Sequence, residues 1–166
     1  MRTGLIGLAL TLTAASAGAQ QAAPAGPGQA LKTFASSADV AAMAAKAKSE
    51  RKDQALIAQP ILQLAPYNAN LEYRASVGPA AVHETEAEMF YVIEGSATMV
   101  TGGKLVNETR TNAQNLSGTA IEGGNSRPVA KGDFIVVPEK TAHWFSAING
   151  TVVLMSLHLP TPAPAH

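Results

Sequence analysis

From Ile61 to Leu159 the apolar residues fall in short runs, each alternating with polar residues or closed by turn residues. That is the spacing of strands. Ile61–Leu64 and Leu71–Val77 come first, the second with apolar and polar side chains in turn. Glu88–Ile93, Ala97–Thr101, Phe134–Val137, His143–Ala147 and Val152–Leu159 follow, with Pro66 and Gly78-Pro79 as punctuation. Short strands at near-regular intervals, with no helical period between them, predict a closed or sandwiched all-β domain. Residues 102–131 are more than a hairpin loop needs, and they contain Leu105-Val106, Gly118–Ile121 and Gly123-Gly124. An elaborated hairpin with one or two short strands is expected there, since an irregular loop of that length is unusual inside a compact domain.

Before the strands the period changes. Val40, Met43, Ala44 and Ala47 lie on one helical face, and Lys46, Glu50, Arg51 and Lys52 mostly off it. Ser36 with Asp39 forms a capping-box-like start, so a helix is predicted over 36–53. Its apolar stripe is thin, which suits a helix leaning on the β domain. Earlier still, Arg2, the apolar stretch Leu5–Ala15 and the small residues Ala17-Gly18-Ala19 have the layout of a secretory signal over 1–19, with Ala15-Ser16-Ala17 an earlier cleavage choice. The apolar stretch is short of the roughly 20 residues a membrane anchor needs. Residues 20–35 read as a flexible linker, 56–160 as the all-β domain and 161–166 as a tail. The mature protein is expected in the periplasm or outside the cell, with no membrane anchoring after cleavage.

Composition narrows the partners. Twelve Lys and Arg balance twelve Asp and Glu, so nothing favours nucleic acid or an anionic surface. There is no cysteine, which excludes both disulfides and a cysteine-linked lipid. The 166 residues suit a single domain with an appendage.

The chemistry gathers in two stretches. His83-Glu84-Thr85-Glu86-Ala87-Glu88 precedes an apolar run ending at Gly95, and Gly132–Pro138 leads through Lys140 to His143. Two imidazoles and a carboxylate from separate strands suit a divalent transition metal, and three protein donors leave positions open. Alternation puts Glu88, Phe90 and Val92 on one face and Met89, Tyr91 and Ile93 on the other, with His143 and Phe145 inward. Trp144 then points outward, against the helix or at a subunit contact, which leaves a homodimer open. Glu84, Glu86, Tyr73 and Arg74 are candidates to support the ligands or move protons; the bland alternative for the two glutamates is a solvated turn. Tyr91 reads as core, His158 as an isolated imidazole and His166 as a tail residue.

These two stretches resemble the signature motifs of the cupin superfamily. The first motif has two histidines one residue apart, a glutamate after three or four intervening residues, and a glycine seven beyond it. Glu88 and Gly95 match, His83 takes the second histidine's place and Ala81 the first's. In the second motif Gly132, Pro138 and His143 match; Lys140 replaces a glycine, and Ala147 an asparagine, with Asn149 two places on. The resemblance implies an all-β jelly-roll barrel with one N-terminal amphipathic helix. It also implies a site of His83, Glu88 and His143 for one divalent ion (Fe, Mn, Zn or Ni) and a small organic substrate. With the shorter spacing, Glu84 would stand in the place of His83. Two functions stay open: a metal-dependent enzyme of dioxygenase, lyase or isomerase type, or a non-catalytic cupin, without metal, that binds a small ligand or another protein.

Overall fold

The computed structural model describes residues 31–161. The expected signal, most of the linker and the end of the tail lie outside them. Lys32, in the span expected as linker, exchanges backbone hydrogen bonds with Gln63 (3.0 and 2.8 Å). Helix α1 runs Ser37–Glu50, inside the predicted 36–53. Its capping box is complete: Ser36 Oγ accepts from Asp39 N at 3.1 Å, and Asp39 Oδ2 accepts from Ser36 N at 2.8 Å. Ser36→Ala should therefore cost about 1 kcal/mol, read as a lower urea midpoint with unchanged β-type circular dichroism. Among the described residues no helix is long and apolar enough to cross a membrane.

The strands are β1 (Leu56–Leu64), β2 (Tyr67–Arg74), β3 (Ala80–His83), β4 (Glu86–Thr101), β5 (Lys104–Val106), β6 (Thr109–Arg110), β7 (Asn115–Gly118), β8 (Ala120–Glu122), β9 (Asn125–Ala130), β10 (Phe134–Val137) and β11 (His143–Pro160). All their pairings are antiparallel. Two long strands organise them. The first half of β4 lies between β10 and the second half of β11, with β2 and β1 beyond. The second half of β4 lies between β9 and the first half of β11, with β3, β7 and β6 beyond. The β4–β11 ribbon thus belongs to both faces of a jelly-roll barrel.

The ribbon changes phase at its middle. Glu88, Phe90 and Val92 are buried before Gly95, whereas Ala97 and Met99 are buried after it. On β11 the register slips between Ile148 and Val152. Because inward and outward positions alternate with period two, such a slip re-aims every later side chain. Gly95 has φ +82°, a left-handed conformation that glycine adopts without strain.

Inside the barrel Phe90, Val92, Met99, Phe145, Val152 and Leu154 form the main core. Phe90 and Phe145 meet edge to face, their centroids 5.5 Å apart. A second core sits on the outer face, where Leu71, Tyr73 and Val153 receive Ala47, Val40, Met43 and Ala44 of the helix. Trp144 does not reach that helix; its Nε1 donates to the Gly78 carbonyl at 2.8 Å.

The segment 102–131 departs from the expected one or two strands, holding β5 to β9. Several of these are short and polar, such as Thr109–Arg110 and Asn115–Gly118, so they carry no alternation to read. β9 contains Pro128, which suits a strand paired with β4 alone.

Candidate metal centre

Glu88 is the hub. It points into the barrel from β4 and is only 4% exposed. β10 lies on one side of it, with Val137 opposite, and β11 on the other, with His158 opposite. The two motif segments meet because Gly132, at φ +96°, turns the chain so that β10 pairs with β4. Lys140 then donates its backbone N–H to the His83 carbonyl at 2.7 Å. Lys140 has φ +58°, so the position where the motif has glycine is indeed left-handed. His143 follows at the start of β11, in register with Ala81 of β3.

Three imidazoles converge on the Glu88 carboxylate. His83 Nε2 and His143 Nε2 each lie 3.1 Å from Oε2, and His158 Nε2 lies 3.4 Å from Oε1. His83, Glu88 and His158 offer donor atoms all within 4.8 Å of one another; His143 stands outside that tighter trio. The other ring nitrogen of each histidine faces an oxygen. Nδ1 of His83 meets Asn115 Oδ1 at 2.7 Å, that of His143 the Thr141 carbonyl at 3.3 Å, and that of His158 Glu86 Oε1 at 2.7 Å.

This arrangement tests whether the residues fit a cation. An Nδ1 facing an acceptor must carry the hydrogen, so a neutral ring presents an Nε2 lone pair. Three such lone pairs aimed at a buried carboxylate repel it unless positive charge lies among them. Protons can supply that charge, and so can a metal ion bound to nitrogen and carboxylate oxygen. As placed, His83, Glu88 and His158 stand close enough together to suit one divalent transition ion, with His143 beside them, and each Nδ1 is anchored in the way that orients metal-binding histidines.

Without an ion, protons take the role. Burial pushes the Glu88 carboxyl up, but hydrogen bonds from His143 and His83, with the charges of His143 and His158, outweigh it and lower the pKa from 4.5 to about 2. For His83 burial pulls the other way, and hydrogen bonds to Glu88 and Asn115, with the charges of Glu88 and Glu86, leave it raised above 6.5.

The remaining candidates divide. Glu86 lies beside the cluster, on His158 and 3.9 Å from His83 Nδ1. Glu84 does not join it: its carboxylate forms a two-pronged pair with Arg110 at 2.6 and 3.1 Å, which holds it below the usual carboxylate range. Tyr73 packs in the outer core under the helix, on the opposite face of β2 from Glu72 and Arg74. Arg74 points inward, but its guanidinium is committed to Glu72 at 2.7 Å and lies over the Phe145 ring. Tyr91 stacks on Phe134 outside the barrel, their centroids 4.6 Å apart. His158 is the residue that the sequence left isolated. The alternation Val152, Leu154, Ser156, His158 was the available sign that it faces inward.

The cupin family model matches residues 56–165. No curated protein sequence matches the chain. Among solved structures it is similar to KdgF from Halomonas sp. (18% identity, TM-score 0.48, covering 66% of this chain and 84% of that one). It is similar also to the hydroxypropylphosphonic acid epoxidase from S. wedmorenis (16% identity, TM-score 0.49, 64% of this chain), about half of whose length it spans, 51%. TT1209 from Thermus thermophilus is a third (16% identity, TM-score 0.47, 66% of this chain and 88% of that one).

Proposed function

This chain belongs to the cupin family, and on that premise we propose that it is an exported cupin that holds one divalent transition ion at His83, Glu88 and His143 and acts on a small organic molecule. The observation that carries the reading is the convergence of imidazole Nε2 atoms on one buried carboxylate, each ring tied at Nδ1. The bound ion would supply Lewis-acid polarisation of a carbonyl or enolate oxygen, or activation of water or dioxygen. The protein's part is to keep the donors aimed. Asn115 and the Thr141 carbonyl fix the His83 and His143 rings, and the buried walls of Phe90 and Phe145 limit water beside them. Export rests on the signal-like residues 1–19, and amino-terminal sequencing of protein from the native host tests it: a chain still starting at Met1 would refute it.

Titration of chelator-stripped protein with zinc, manganese and iron(II) tests the metal. One equivalent should bind, and His83→Ala and His143→Ala should each weaken binding by more than about tenfold. Affinity should fall with falling pH. The Glu88 carboxyl remains ionised almost to pH 2, so the competing protons are those of imidazole. The raised pKa of His83 means that its proton begins to compete above pH 6.5. If both alanine variants bind as tightly as the parent, the ion is not held here.

A second reading, a non-catalytic binding module, is favoured by a cavity of about 970 Å³ between α1 and the outer sheet face. Val40, Ala44, Ile93, Val153 and Met155 line it, with Lys48, Lys131 and Glu94 among its polar residues. Its size and mostly apolar lining suit a small ligand. Equal uptake of an apolar fluorescent probe by metal-free and metal-loaded protein, displaced by a small carboxylate, would favour that reading.

A further inference from the structure

On the face of β3 that carries His83, the residue two positions earlier is Ala81, and its register partner is His143. This side of the cluster has a methyl group where a donor could stand. The opposite side has a donor from outside both motif segments. We propose that His158 is the fourth protein ligand of the metal centre, supplied by the last strand. This inference rests on the metal reading above.

Three features separate His158 from a histidine that merely fills the barrel. It is the direct cross-strand neighbour of Glu88, so the ribbon itself fixes their separation. Its Nε2 approaches Oε1, the carboxylate oxygen left free by His83 and His143, so the donors spread around the carboxylate rather than compete for one atom. Its Nδ1 is held at 2.7 Å by Glu86, the carboxylate–imidazole pairing that fixes a ring's tautomer and makes it a better ligand. His158 is also one of the trio whose donor atoms all lie within 4.8 Å of one another, and its ring stands edge-on to His83 with centroids 5.1 Å apart. A histidine that only buffered the charge of Glu88 would not need a second carboxylate behind it.

The arrangement makes a rescue possible. Ala81 is on the same face as His83 and opposite His143, so a histidine there would reach the cluster from the side that lacks a donor. In the parent such a residue adds a donor to a set already complete. In a chain lacking His158 it replaces the lost one.

The test uses chelator-stripped protein titrated with zinc(II) by calorimetry and with cobalt(II) by visible absorption, which reports the number and kind of donors. His158→Ala should weaken zinc binding by about 100-fold and change the cobalt spectrum. Ala81→His combined with His158→Ala should recover most of the affinity. Circular dichroism confirms that each variant folds, and His158→Gln, which can keep a hydrogen bond to Glu86, replaces His158→Ala if the alanine chain does not. Should His158→Ala or His158→Gln bind zinc as tightly as the parent with the same cobalt spectrum, while His143→Ala loses the ion, His158 is no ligand and the metal reading survives without it. A parent that binds neither ion overturns the metal reading itself, and this inference with it.

Discussion

Replacing Glu88 with glutamine is expected to abolish stoichiometric metal binding and to flatten the acid limb of the protein's stability. The substitution keeps the shape and loses the charge. An amide offers one oxygen acceptor, and its NH₂ group would donate to an imidazole Nε2 that a metal needs free. Affinity should therefore fall by more than about 100-fold. The second effect appears in metal-free protein. A carboxyl lowered from 4.5 to about 2 on folding contributes stability that is complete above 4.5 and is lost as pH falls through 2. The shift corresponds to roughly 3 kcal/mol. His83 works in the opposite sense: its raised pKa contributes stability that is complete below 6.5 and is lost as pH rises through the raised value. Glutamine removes the first contribution together with the titrating group, and weakens the second, since against the lowering effect of burial the hydrogen bond to Glu88 is foremost among the contacts that raise His83. Urea midpoints of the metal-free proteins between pH 4.5 and 2 measure this: the parent should drop steeply and the variant little. Parallel curves would show that Glu88 carries no such coupling.

Gly95→Ala should destabilise the fold strongly without altering any donor. At φ +82° an L side chain is strained, and a Cβ there would overlap the Thr151 carbonyl oxygen and stand 3.1 Å from Val152 Cα. These are backbone atoms of the paired strand and cannot rotate aside. A cost of more than about 3 kcal/mol is expected, lowering Tm by roughly 10 °C. Binding should suffer as well, because the change of phase at Gly95 separates the part of the ribbon that carries Glu88 and His158 from the part that carries His143. Thermal unfolding followed by circular dichroism, with zinc titration below the transition, checks both. A Tm within a degree or two of the parent would mean that the ribbon bends elsewhere.

What the sequence revealed follows from which interactions are local. β2, β4, β10 and β11 contain apolar residues at period two or in compact runs, and the cap of α1 is written within four consecutive residues, Ser36 to Asp39. The continuity of β4 through Gly95 was hidden, because a glycine between two apolar runs looks like a turn and here is a bend in a single strand. β3 is short, and its Ala80-Ala81-Val82-His83 lacks a clear alternation. At the site, His83, Glu88 and His143 were legible through motif spacing. His158 was not, because its place beside Glu88 is a matter of strand register, which depends on residues far along the chain. Glu84 and Glu86 look alike in sequence. Only the bend between β3 and β4 decides that Glu84 turns to Arg110 and Glu86 to His158. Tyr73 and Arg74 are adjacent in a strand and so could never both face the site.

The contact between Glu86 and His158 joins residues 72 positions apart. Its closure is one of the long-range strand pairings that must be made before the barrel is complete. An ion held at this junction is a clasp on the finished barrel: it stabilises only a chain whose last strand has already docked. With His158 as a ligand, loosening of that strand removes a donor, so local opening of the strand should speed loss of the ion.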